Sequence, residues 1–137
     1  MDKRLFFLLN MAQKKLFKHI DNMCEQELDA SITQLAALMY IAKAPGCGQK
    51  DLAQALDLNK SAITGLIGRM EKNGLVQRAG SDDDARAVKL WPTPEGINKV
   101  ERLKPLVDRL NNEFQQEFSA EEIATVLRFF NFILERF

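Results

Sequence analysis

The 137-residue chain has little of what an enzyme, an exported protein or a membrane protein carries. Only two cysteines occur, Cys24 and Cys47, too few for a disulfide framework. With no export signal, the expected compartment is a reducing cytoplasm. A single histidine, His19, leaves no set of three or four ligands, so no metal and no other cofactor is expected. No run of ~18 apolar residues exists, and no membrane span is expected. The opening MDKRLFFLLNMAQKK places charges before a short apolar run, but FFLL is too brief for a signal-peptide core and no small-residue cleavage site follows. Glycine-rich phosphate loops, serine elbows and histidine–nucleophile pairs are missing, so no catalysis is expected. An excess of one charge is missing too: 19 basic and 19 acidic residues cancel. Whole-chain charge therefore gives no support for nucleic-acid binding, and any such case must rest on local pattern.

What is present is mostly periodic helix. A chain of this length with 46% hydrophobic and 28% charged residues can close one core. Leu5, Leu8, Leu9, Ala12, Leu16, Ile20 and Met23 recur at three-and-four spacing and predict an amphipathic helix over residues 3–24. CEQELDA then reads as a linker. SITQ reads as a capping box opening a second helix, with the Ser31 hydroxyl accepting an amide and Gln34 reaching back. That helix stops near Lys43, before APGCG. QKDLAQAL predicts a short third helix, DLN a tight turn, and KSAITGLIGRMEKNG a fourth helix capped by Asn59 and ended by Gly74. LVQRA and AVKLW flank GSDDDAR as an antiparallel hairpin. Thr93 caps a fifth helix with Pro94 in its first position and Pro105 marking a kink. SAEE, with Ser119 and Glu122, is a second capping box, before a last helix ending at Phe137. The fold class expected is mainly α with a small β-hairpin: a winged helix–turn–helix core flanked by N- and C-terminal helices.

Residues 49–76 carry the functional signal. Leu52, Leu56 and Leu58 should face inward from the third helix and the turn, and Ile63, Leu66, Ile67 and Met70 from the fourth. Opposite that stripe, at about 100° per residue, lie Ser61, Gly65, Gly68 and Lys72, flanked by Thr64 and Arg69. Each interior glycine costs a helix roughly 1 kcal/mol relative to alanine. Two on one exposed face suggest close approach to another surface, such as the major groove, with Ser61, Thr64 and Arg69 reaching base edges or phosphates. A tolerated surface glycine is the bland alternative. From Asn59 to Gly80 the chain carries Lys60, Arg69, Lys72 and Arg78 against Glu71, a net charge of +3. Lys60, Ser61, Thr64, Gly65, Arg69 and Lys72 are the candidate DNA-facing residues.

The segment from Ser31 to Gly96 resembles the MarR family of bacterial winged-helix transcriptional regulators. Gln34 and Leu38, PGCGQKDLAQALDLNKSAITGLIGRMEKNGLV and DARAVKLWPTPEG carry the likeness. The last string fits the family's wing signature through Asp84, Arg86, Thr93 and Gly96, and departs from it at Pro92, where leucine is usual. The resemblance implies a homodimer on double-stranded DNA, with recognition helices in successive major grooves of a palindromic operator. It implies Arg86 in the flanking minor groove, Asp84 as its partner within the wing, and repression relieved by a small molecule or by oxidation; the effector expected here is a small aromatic or amphipathic one. A single domain over 1–137 follows, with 1–30 and 94–137 as dimerisation helices and 31–93 as the DNA-binding core.

Dimerisation also has support from composition. Leu5, Phe6, Leu9, Phe17, Phe114, Phe118, Phe129, Phe130, Phe132, Ile133 and Phe137 add more apolar surface than so small a core can cover, and six of the nine phenylalanines lie in the last 24 residues. Two other readings stay open. A winged-helix protein-interaction module without DNA binding suits the zero net charge and the acidic SDDDAR. A cysteine-based redox sensor would need a reactive thiol, and Glu25 and Glu27 beside Cys24 work against one. Cys47 lies in a turn between glycines.

Overall fold

Alternating apolar periods of three to four residues and of two produce six helices and three short strands among the described residues of this computed structural model. Residues 2–80 and 88–137 are described. The elements are α1 (Leu5–Leu28), α2 (Ile32–Lys43), β1 (Cys47–Gly48), α3 (Gln49–Leu56), α4 (Lys60–Lys72), β2 (Val76–Gly80), β3 (Val88–Pro92), α5 (Pro94–Glu117) and α6 (Ala120–Arg136). They form two compact units, Met1–Leu103 and Lys104–Phe137.

In the first unit, α1 runs farther than the periodicity predicts. CEQEL is its last turn and not a linker, because Ile20, Cys24 and Leu28 continue one buried stripe at four-residue spacing. Asp29 ends the helix in the left-handed conformation, with φ of 53°. Two α5 side chains complete that end: Lys99 Nζ donates to the Leu28 carbonyl, and Arg102 Nη2 donates to Glu27 O at 2.9 Å. Cations on the last carbonyls satisfy orphaned acceptors and suit the negative end of the helix dipole.

Helix α2 starts as the sequence predicts in one respect and not in another. Ser31 Oγ accepts the Gln34 amide at 3.1 Å. The Gln34 side chain does not reach back to close a capping box; it turns inward, buried, with Oε1 lacking a partner among the described residues. A different amide of the first turn is satisfied from outside the helix, where Asp21 Oδ1 of α1 accepts the Ile32 amide at 2.9 Å. One carboxylate thereby ties two helices and uses a donor that α2 itself leaves free.

The hairpin is part of a three-stranded antiparallel sheet in the order β1-β3-β2, and β1 is an addition to the expected topology. Cys47 pairs with Leu90, and Arg78 pairs with Leu90 from the other side. Leu35, Leu38, Ile41, Leu52, Ile63, Ile67, Met70, Leu75 and Leu90 are buried together as the core. Burying each such side chain contributes roughly 1.5–3 kcal/mol before chain entropy is counted.

The start of α5 explains two residues of the wing signature. Thr93 Oγ1 accepts the Gly96 amide at 3.0 Å, as an N-cap, and donates to Gly74 O at 2.7 Å. The Thr93 amide donates to Leu75 O at 3.1 Å. Gly96 sits so close to this turn that a Cβ there would lie 2.3 Å from Leu75 O and 2.9 Å from Leu38 Cδ2. Glycine is required by contact, not by backbone angle. At Gly74, φ of +74° makes the C-terminal stop of α4 a conformational requirement instead.

The second unit contains the rest of α5, which is helical through Pro105, and α6. Ser119 and Glu122 form the full capping box: Glu122 N donates to Ser119 Oγ at 3.1 Å and Ser119 N to Glu122 Oε1 at 2.9 Å. Helix α6 has no buried residue. Phe114, Phe118, Phe130, Phe132 and Phe137 are exposed, whereas Phe129 and Ile133 are half-covered.

Candidate nucleic-acid interface

The helix–turn–helix is built by one turn and two stripes. Asp57 adopts the left-handed conformation, and the Leu58 amide returns to Ala53 O at 2.9 Å, closing α3. Asn59 then caps α4, its Oδ1 accepting the Ala62 amide at 2.8 Å. Ile63, Leu66, Ile67 and Met70 of α4 are buried, as their spacing predicts, and Leu52 meets them from α3. Leu56 and Leu58 are only half-buried.

Burial of that stripe turns the opposite face outward. Lys60, Ser61, Thr64, Arg69 and Lys72 are exposed there, with Gly65 and Gly68 half-covered between them. The coverage of the glycines was not legible in sequence. A Cβ at Gly65 would lie 3.3 Å from Arg69 Nη1, and one at Gly68 would lie 4.0 Å from Arg78 Nη2. Two guanidinium groups therefore lie across the two glycines, one from the next turn of α4 and one from β2. The glycines keep the face shallow and seat arginines on it at once.

Gln49, which the sequence reading passes over, holds Thr64. Its Nε2 donates to Thr64 Oγ1 at 2.7 Å, while Thr64 Oγ1 donates to Lys60 O at 2.8 Å. The Thr64 hydroxyl is therefore oriented by α3. Arg78 enters the sequence reading only as a unit of charge, yet its Nε stands 3.6 Å from Glu71 Oε2, both side chains being partly exposed. An open groove of about 1020 Å³ borders the same region, lined in part by Gln49, Lys50, Asp51, Lys60, Val88 and Lys89. Asp84 and Arg86 of the wing, and with them the pair expected between the two, lie outside the described residues.

The surroundings of both thiols disfavour the thiolate. Cys24 is fully covered, and burial, reinforced by the carboxylates of Asp21, Glu25 and Glu27, pushes its pKa above the ordinary thiol value. Cys47 is a half-buried residue of β1 and not a free turn residue; burial and Asp51 raise its pKa as well. Reactive thiols need the opposite shift. Among the described residues no helix is long and apolar enough to cross a membrane.

The family model described as MarR family matches residues 28–87. Transcriptional regulator HosA of Escherichia coli O127:H6 is 33% identical over 110 residues, covering 80% of this chain and 82% of HosA. A transcriptional regulatory protein assigned to the hcr operon of Thauera aromatica is 33% identical over 90 residues, which are 66% of this chain and 54% of that protein. Among solved structures, the Staphylococcus aureus MepR–DNA complex superposes with a TM-score of 0.86 at 23% identity, over 98% of this chain and 99% of the MepR chain. HosA and the Thauera aromatica protein are transcriptional regulators, and the MepR structure holds DNA. With its helix–turn–helix, three-stranded wing base and outward cationic face, the chain belongs to the MarR family of winged-helix transcriptional regulators.

Proposed function

We propose that this chain acts as a homodimeric repressor on a palindromic operator and is released from it by a small aromatic or amphipathic effector. The observation that carries the reading is the outward face of α4, where Lys60, Ser61, Thr64, Arg69 and Lys72 stand exposed around two glycines. That face is shallow and cationic, as a helix lying in a major groove needs to be. Thr64, whose hydroxyl proton goes to Lys60 O and which Gln49 orients, keeps a lone pair for a donor on a base edge; Ser61 supplies a hydroxyl for base edges or phosphates; Lys60, Arg69 and Lys72 supply charge. Arg86 is assigned to the minor groove beside the wing, and Asp84 to holding it.

The domain organisation proposed is a single MarR-like domain over 1–137, with 31–93 reading DNA and with 1–30 and 94–137 pairing two copies. Exposed Phe6, Phe7, Phe17, Phe118, Phe130 and Phe132 support that pairing, because aromatic surface of this extent in water favours association. Twofold symmetry would set two α4 helices on half-sites about one DNA turn, roughly 34 Å, apart. An effector acts by binding better to a spacing that does not fit the operator, and can shift the equilibrium only by that difference in affinity. A cytoplasmic location follows from the same reading.

Footprinting on the DNA upstream of the protein's own gene, with a salt titration, tests this. The expected result is a protected palindrome whose affinity falls steeply with salt. Arg86→Ala should weaken specific binding by roughly 1–3 kcal/mol with fold and dimer unchanged. No protected palindrome and no salt dependence would overturn the reading in favour of a protein-interaction module.

A further inference from the structure

We propose that Arg78 is a phosphate-contacting residue of the DNA interface, and that Glu71 holds its guanidinium against α4 until a phosphate displaces it. The inference rests on the DNA-binding reading above and adds to it a residue and a competitor.

Three observations converge on Arg78. It lies on β2 opposite the buried Leu90, and cross-strand partners share a face of the sheet, so its stem leaves the sheet on the side facing the core helices. Its guanidinium lies over Gly68, the one position on that stretch of α4 where no side chain stands in the way; the nearest atom to a Cβ there is Arg78 Nη2, at 4.0 Å. Its charge is only loosely claimed, since Nε stands 3.6 Å from Glu71 Oε2, beyond a good charge-assisted hydrogen bond. An arginine delivered across the reading helix, beside the exposed Arg69 and Lys72, extends the cationic edge from α4 to the sheet.

Glu71 is the acidic residue in the stretch from Asn59 to Gly80. An exposed carboxylate 3.6 Å from a guanidinium is a weak partner in water, and a phosphate oxygen offers the same geometry with more negative charge around it. Exchange of Glu71 for phosphate leaves the carboxylate close to the DNA backbone and unpaired. Glu71 therefore lowers affinity in a way that depends on Arg78, and this separates it from a merely repulsive surface charge.

The test is fluorescence anisotropy on two duplexes of equal length, one from the region upstream of the gene and one scrambled, across a range of salt. The proteins are the parent, Arg78→Ala, Arg78→Lys, Glu71→Gln and the double variant Glu71→Gln/Arg78→Ala. Arg78→Ala is expected to weaken binding to both duplexes alike, and to reduce the slope of log affinity against log salt by about 0.9, as loss of one phosphate contact requires. Arg78→Lys should keep most of the slope. Glu71→Gln should tighten binding severalfold, and that gain should shrink when Arg78 is already alanine. Thermal melts of each variant check that the fold is intact, and Arg78→Lys keeps the test decisive if Arg78→Ala unfolds. A parent that binds with steep salt dependence while Arg78→Ala matches its affinity and slope would overturn this inference alone. Equal gains from Glu71→Gln in both backgrounds would overturn the role of Glu71. A parent without salt-dependent binding would overturn the DNA reading itself.

Discussion

Helices α4 and α6 invite comparison because both are amphipathic and both are capped by a side chain at their first turn. Helix α4 buries its entire apolar stripe: Ile63, Leu66, Ile67 and Met70 are at most 3% exposed. Helix α6 buries none of its residues, and Phe132 and Leu134 are 57% and 79% exposed. The same periodicity has been spent in two ways. In α4 the apolar face meets its own chain and the opposite face is left to solvent, where DNA is the partner proposed for it. In α6 it is the apolar face itself that remains uncovered, and a second copy of the chain is the cover proposed for it. Hydrophobic period says that a face will be covered; it does not say by which molecule.

The contrast can be tested from its strongest side. Ile67→Ala removes a fully buried side chain of α4 and should cost about 2–5 kcal/mol in denaturant unfolding. A cost below ~1 kcal/mol would mean that the α4 stripe is no better covered than that of α6. Gly96→Ala places a methyl group 2.3 Å from Leu75 O, so it should cost about 1–3 kcal/mol through displacement of backbone, read by the same unfolding curve. Phe132→Ser should act on association instead: we expect dimer dissociation to rise about 30-fold in sedimentation, about 2 kcal/mol, with little loss of helix content. A parent that is monomeric throughout the concentration range would remove the proposed cover of α6.

The smallest effect is a pH dependence at the start of α6. Hydrogen bonds from the Ser119 backbone and side chain hold the Glu122 carboxyl below its ordinary value of 4.5. The folded state thus favours the ionised form. Its stabilising contribution is complete above that ordinary value and is lost as pH falls through the lowered one. The difference in melting temperature between the parent and Glu122→Gln should accordingly shrink on acidification and disappear once the carboxyl is protonated in both states. A difference that grows in acid would contradict the capping box.

Much of the architecture was legible because it depends on local rules. Asn59 and Ser119 cap their helices as residue type and position predict, and the α4 stripe is buried residue for residue. What was not legible depends on partners distant in sequence. Strand β1 consists of two residues, Cys47 and Gly48, with no alternation to reveal them; pairing with Leu90 and Lys89 makes them a strand. Gln34 has the right spacing for a capping box but is drawn into the interior, and Asp21, eleven residues earlier in the sequence, bonds to the start of α2 instead. Of the candidate site, the exposed residues of α4 were foreseeable from the helical period. Gln49, which orients Thr64, and Arg78, which covers Gly68, were not, because α3 and β2 reach α4 only through the fold.

The seat of α5 on the end of α4 has a consequence for how such a protein can change. Thr93 and Gly96 engage the carbonyl oxygens of Gly74 and Leu75, so the joint reads main chain and is indifferent to which side chains α4 displays to solvent. Mutations at Ser61, Thr64, Gly65 or Arg69 alter the face proposed to read DNA without touching the joint behind it. A molecule built this way separates a joint that must stay constant from a face free to drift, so that, on the proposed reading, single substitutions change the target on an unaltered frame.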